Sequence, residues 1–410
     1  MSRREEVPEG GRARRLGELA RLFSKLGVIG FGGPAAHIAM MEEEVVTRRR
    51  WLDRQHFLDL VGATNLIPGP NSTEMTMHVG YERAGWLGLV TAGTCFILPA
   101  VAITGAFAWL YVAYGALPDV EPWLRGIQPA VLAIILGALW KLGRKAVRGW
   151  RLAVVGAAVI AAVLAGAAEV PALLVAGVLG MVWLRVEAGR REGEDGGGGA
   201  APVPALVPLL LSGLRRSAGA AAGAGATAAA TAGAVPLGKL FLFFLQVGAV
   251  LYGSGYVLVA FLEGGLVERF GWLTEGQLLD AVALGQLTPG PVLSTATFIG
   301  YVLAGAPGAA VATVGIFLPS FLFVLALNPL VPKLRRSAWM GAFLDAVNAA
   351  AVGLMAAVTV ELGAAALRSW PAWTIALLAA AAVLRFRVNA VWIVAGGALL
   401  GRLLAPWSGG

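Results

Sequence analysis

The chain has 410 residues, of which 58% are hydrophobic and 14% charged, against about 45–50% and about 25% in soluble domains. No Asp, Glu, Lys or Arg lies between Arg83 and Asp119, or between Asp280 and Lys333; both runs exceed the roughly 20 apolar residues that span a bilayer. A soluble globule is excluded, and the net charge of +8 suits loops facing anionic lipid rather than nucleic acid.

The first 18 residues form a tail with Arg3, Arg4, Arg12, Arg14 and Arg15. It is too charged for a signal peptide and is expected in the cytoplasm. A first repeat is expected over 19–186. It opens with an apolar segment, Leu19–Met41, broken at Gly30–Pro34. A charged loop, 42–54, holds Arg48, Arg49 and Arg50. A second broken segment, Phe57–Tyr81, is interrupted at Pro68–Pro70, and the uncharged stretch Ala84–Pro118 contains Pro99. Further spans are read at Gly126–Trp140, Leu152–Ala168 and Val170–Leu184. A linker, 187–236, follows; its Ala/Gly-rich part, Ser217–Val235, is about long enough for one extra crossing.

A second repeat is expected over 237–406. Its spans are Leu240–Leu262, Leu278–Tyr301, Gly308–Val331, Ala346–Val360, Trp370–Leu384 and Val388–Leu404. Phe31–Gly32–Gly33–Pro34 returns as Tyr252–Gly253–Ser254–Gly255, and Pro68–Gly69–Pro70 as Pro289–Gly290–Pro291. Trp51, Asp59 and Asn65 match Trp272, Asp280 and Gln286 at the same offset, Pro99 matches Pro319, and Ile127–Gly143 aligns with Val347–Gly363. Loop charges change sign between the copies. Lys141, Arg144, Lys145, Arg148 and Arg151 face Glu361 and Arg368; Asp119 and Glu121 face Lys333, Arg335 and Arg336; Arg48–Arg50 face Glu263, Glu268, Arg269 and Glu275. Under the positive-inside rule the copies point opposite ways. The expected fold is an all-α integral membrane protein of two homologous halves, an inverted repeat with broken or re-entrant helices.

Broken helices at membrane depth are tolerated where they are buried in protein or line a wet cavity. A helix starting at Pro70 or Asn71 offers free N–H groups and a partial positive charge, hence an anion site. Asn71, Ser72 and Thr73 are residues that suit its cap. The expected substrate-binding set in copy one is Gly32, Gly33, Pro34, His37, Asn65, Gly69, Asn71, Ser72, Thr73 and Glu74. In copy two it is Gly253, Ser254, Gly255, Gln286, Thr288, Gly290, Ser294 and Thr295. Glu74 would repel an anion unless protonated, so its proton could couple to anion movement. A single cysteine, Cys95, excludes an internal disulfide or thiolate cluster. His37, His56 and His78 are scattered and form no metal pattern, and no Gly-Lys-Ser/Thr loop for ATP is present. No metal, cofactor or catalytic set is expected.

At Phe31–Met41, Pro68–Met75, Tyr252–Tyr256 and Leu287–Pro291 the chain resembles the chromate transporter family in its two-domain, long-chain form. The likeness runs over about residues 19–180 and 237–405. It implies export of chromate from the cytoplasm across the inner membrane, with chromate resistance as the outcome. Sulfate, an isostere, is a competing ligand in that picture. An inside-negative potential favours exit of a dianion by about 2 × 2.3 kcal/mol per 100 mV. A transporter of sulfate or another tetrahedral oxyanion and an anion channel remain as alternatives. The expected partners are chromate or sulfate and the lipid bilayer, with no nucleic acid; a homodimer is left open.

Overall fold

A computed structural model describes residues 9–31, 33–115, 117, 119–193, 235–252, 255–327, 337–386 and 388–405. The linker with its expected crossing, the cations Lys333, Arg335 and Arg336, and the motif residues Gly32, Gly253 and Ser254 lie outside the described residues.

Regular structure among the described residues is helical. Copy one contains α1 (Glu9–Ile29), α2 (Pro34–Glu42) with a wide turn Glu43–Arg48, α3 (Arg54–Thr64), α4 (Asn71–Tyr114), α5 (Glu121–Ala146), α6 (Trp150–Leu164) and α7 (Glu169–Gly193). Copy two repeats the series as α8 (Leu237–Val250), α9 (Leu258–Leu262) with a wide turn Glu263–Arg269, α10 (Glu275–Leu287), a short turn Val292–Ser294 leading into α11 (Thr295–Leu327), α12 (Ala338–Ala366), α13 (Trp370–Phe386) and α14 (Ala390–Leu404). Five stretches, in α4, α5, α7, α11 and α12, are long and apolar enough to cross a membrane. The chain is therefore an all-α membrane protein of two homologous halves.

Local sequence sets the matching ends. Asp53 caps α3 by accepting from the His56 amide at 2.9 Å. Thr274 and Gln277 cap α10 with a reciprocal pair of side-chain bonds. Both α4 and α11 fold back on themselves about four turns after the Pro-Gly-Pro break. The turn is Ala84–Gly85 in one and Ala304–Gly305 in the other, with Gly85 at φ 66° and Gly305 at φ 61°. Gly80 lies on the Gly88 carbonyl and Gly300 on that of Gly308, so closely that a Cβ at any of the four would overlap backbone. The first arm of α4, Asn71–Arg83, is then about 20 Å long at 1.5 Å per residue, short of the ~30 Å hydrocarbon core. An arm of that length does not span the core by itself.

The helices sort into two bundles. In one, α1 packs on α4, α8 on α11, and α4 on α11. In the other, α6 and α7 pack on α12 while α13 and α14 pack on α5, and α5 meets α12. The halves thus exchange their last two helices. The return helices break the symmetry. α10 packs on α5, α12 and α14, and α9 on α12 and α7. α2 and α3 pack chiefly on α4, on each other and on their own wide turn. Accordingly Met41, Val45, Phe57 and Leu60 join Leu22, Phe23 and Phe96 in a core of their own, whereas Leu262, Leu266 and Leu278 belong to the main one.

Candidate functional site

The four helix breaks meet inside the bundle. The Gly69 amide donates to the Leu251 carbonyl at 2.7 Å, and the Gly290 amide donates to the Gly30 carbonyl at 2.8 Å. Gly69 and Gly290 are repeat partners, as are Gly30 and Leu251, so the two bonds are one contact made twice, the signature of a self-complementary interface. Each break closes on the other copy. Both glycines sit at positive φ, 140° and 92°, where side chains are disfavoured.

The α4 start is built as the sequence suggests, with one difference. Pro70 stands at the cap, and its carbonyl accepts from the amides of Thr73 and Glu74. No side chain caps the helix, so Asn71, Ser72 and Thr73 spend their polar groups elsewhere. The amides of Asn71 and Ser72 are left as first-turn donors. Glu74 is fully buried. Its Oε1 and the Ser320 Oγ both crowd the place a Gly69 Cβ would take. Ser320 is the polar neighbour of the Glu74 carboxyl, which has no cation beside it, and Thr73 Oγ1 completes no hydrogen bond. Arg83 does not neutralise Glu74; it pairs with Glu18 at 2.8 Å.

Copy two answers each of these groups differently. Thr295, the counterpart of Glu74, donates to the Val292 carbonyl at 2.8 Å. Thr288 donates to Leu284 O at 2.8 Å. Thr104 donates to Ser294 at 3.1 Å and lies 3.3 Å from Thr288. Ala100 faces Gly290 where Ser320 faces Gly69. The buried carboxyl therefore belongs to one break alone, while the copy-two break leaves the Gln286 Nε2 amide without a partner. Gln286 accepts from the Tyr256 hydroxyl at 3.3 Å, and Gly255 packs on Val292. Gly33, at φ 79°, and Pro34 form the entry to α2 without a polar contact from a side chain.

His37 is buried and bridges two breaks. Its Nε2 donates to the Gly30 carbonyl at 2.8 Å, and Nδ1, then bare, accepts from the Ser72 hydroxyl at 3.2 Å. The repeat partners of His37 and Ser72 are Leu258 and Leu293, both buried. A polar pair in one copy stands where the other copy has two buried leucines. His37→Leu alone strands the Ser72 hydroxyl and the Gly30 carbonyl, which costs about 1–3 kcal/mol. The double change His37→Leu with Ser72→Leu is expected to restore part of that loss, as copy two does. Melting of the purified protein in detergent reads it; additive losses from the two single changes would count against the bridge.

A cavity of about 330 Å³ opens beside the first break, between the two bundles. Asn65, Ile67 and Asn71 form one wall; Lys145 in the last turn of α5 and Arg148 just past it, with Asp345 and Asn348 of α12, form the other. Asn71 Nδ2 donates to Asn65 Oδ1 at 2.9 Å. On the copy-two side the matching gap is smaller, about 230 Å³, and is lined by Gln128, Ala365, Ala366 and Arg368, with no lysine. Asp280 of α10 is buried there and accepts from the Tyr111 hydroxyl at 3.0 Å and from Gln128 at 3.3 Å. Thr104, Tyr111, Gln128, Ser320 and Asn348 escape a motif search, because each stands alone on a helix face. The one available signal is that Gln128 and Asn348 are polar at matched positions of two apolar spans.

Carboxylates gather where the copy-two wide turn meets α12. Oxygens of Glu263, Glu268 and Glu361 lie within 4.8 Å of one another, and Glu169 presses on Gly264. Lys141, the repeat partner of Glu361, and Glu42, which pairs with Arg54 at 3.3 Å, show that copy one balances these charges. Glu263 lies just past the apolar span, and burial, then Glu268 and Glu361, push it up to about 8 from 4.5. A carboxyl with a higher pKa folded than unfolded contributes stability below about pH 4.5 that is lost as pH rises towards 8. Melting temperature is therefore expected to fall over that range and to fall less in Glu263→Gln; parallel curves for the two proteins would refute the assignment.

A profile of the chromate transporter family matches residues 17–182 and 238–402. The chain is 33% identical over 378 residues to the probable chromate transport protein of Synechococcus elongatus, covering 90% of this chain and 89% of that one. It is 32% identical over 394 residues to the chromate transport protein of Cupriavidus metallidurans, covering 95% and 94%. An uncharacterized transporter of Methanocaldococcus jannaschii is 27% identical over 345 residues, with 83% and 82% covered. No solved structure matches the chain.

Proposed function

The chain belongs to the chromate transporter family, and from that membership we propose that it is a secondary transporter carrying chromate out of the cytoplasm across the inner membrane. The observation that carries the reading is the meeting of the four breaks through the bonds Gly69 N–H to Leu251 and Gly290 N–H to Gly30. It sets the start of α4 and the side chains of Thr73, Glu74 and Ser320 together in the protein interior. Amide and hydroxyl donors around a fixed point replace the water of an anion without needing a fixed cation.

The N-terminus and the loop Lys141–Arg151 are taken as cytoplasmic, following the positive-inside rule. Sulfate is the competing substrate, since donors of this kind recognise a tetrahedral dianion by shape and charge. Purified protein in liposomes tests the reading. Chromate is expected to leave the compartment facing the basic loops, faster with a potential negative on that side. Flux of sulfate alone would reassign the substrate. Conductance at channel rates, with no saturation, would sink the carrier.

A further inference from the structure

We infer that the cavity between the bundles is the oxyanion's access site, open towards the basic loop, with the Asn348 amide as the group that selects a dianion there. This deepens the transport reading above and rests on it for the substrate's identity.

The repeat makes the case. Gln128 of α5 and Asn348 of α12 occupy matched positions. Gln128 already has an anion: its Nε2 donates to the buried Asp280 carboxylate at 3.3 Å, because α10 is packed on α5. Asp59, the counterpart of Asp280, stays on the detached α3, where it accepts from Gln55 at 3.4 Å. Asn348 is left lining the open cavity. Both amides line a cavity, but Gln128 donates to a carboxyl of the protein while Asn348 lines the larger, lysine-bearing one, where a solute dianion supplies the matching acceptor.

The rest of the lining suits that solute. Lys145 and Arg148 stand at the rim, the latter donating through Nε to the Lys145 carbonyl at 3.1 Å. Asp345 also lines the cavity, and the two cations outweigh it. Asn71, the first residue of α4, stands at the inner wall. The cavity therefore leads from basic residues to the helix start. Field focusing in a cleft of one sign raises the local concentration of the opposite ion.

The test uses the full-length chain with Cys95→Ala and Asn348→Cys, and a membrane-impermeant maleimide. Sulfate is the probe, since chromate oxidises thiols. Labelling is expected in everted vesicles, which expose the Lys145 side, and not in right-side-out ones. Sulfate at ten times its Kd is expected to slow it about elevenfold, the factor 1 + [L]/Kd. In parallel, Asn348→Asp is expected to cut chromate uptake by everted vesicles about tenfold or more through like-charge repulsion. Asn348→Gln, which installs the residue of copy one, is expected to keep it. Labelling from the other face, or labelling that sulfate leaves unchanged, overturns the inference. Side-specific labelling slowed by sulfate in a protein that moves no chromate would sink the transport reading and leave this site standing.

Discussion

Gly69→Ala is expected to abolish chromate transport. Gly69 has φ 140°, and holding an alanine in such a region costs of order 1–3 kcal/mol. The new methyl would also fall on Glu74 Oε1 and Ser320 Oγ, and overpacking of that kind costs typically 1–3 kcal/mol. The two add to about 2–6 kcal/mol, a large part of the roughly 5–15 kcal/mol that holds a domain folded. The backbone can relieve the clash only by moving the 69 amide off the Leu251 carbonyl, which opens the junction between the copies. Gly85→Ala is the control. Its φ is 66°, but nothing lies within 4 Å of the added Cβ, so strain acts alone and transport is expected to survive. Flux and melting temperature, measured on both variants, check the contrast. Equal losses at the two glycines would mean that backbone strain, not the junction, sets the effect.

Glu74→Gln is expected to remove the pH dependence of transport. The side chain is fully enclosed, with Ser320 as its polar neighbour and no cation beside it. A carboxylate there would face the incoming dianion at the same break, so anion binding calls for a proton on Glu74. Proton release then accompanies anion release. Glutamine is a neutral mimic of the acid that cannot let go of a proton. The variant is expected to bind chromate and to show a rate that no longer changes with pH where the wild type's does. A pH profile that tracks the wild type would take Glu74 out of the coupling.

Much of the fold was legible in the sequence because a duplication leaves two witnesses. Charge-free runs gave the spans, and Pro-Gly-Pro at matched places gave the breaks. The site was legible in part. Gly69 and Glu74 lie at the first break and Asn65 and Asn71 on the wall of the cavity beside it, while His37, Ser72, Ser294 and Thr295 bond within the protein. Motif reading finds residues near a break in the chain; it does not find Ser320 or Thr104, which arrive from helices far along the sequence and are chosen by packing. Neither does it find the difference between the return helices. α3 and α10 carry the same pattern, and which of them docks on α5, α12 and α14 is a property of a conformational state, not of composition.

The crossed bonds at the breaks bear on ancestry. A lone half holds the Gly69 amide and the Gly30 carbonyl but neither acceptor nor donor for them within itself, since both bonds run to the other half. Two identical halves, set head to tail across a dyad, would satisfy both. A single-length ancestor must then have worked as a pair of subunits, and fusing the genes removed the need for the two to find each other.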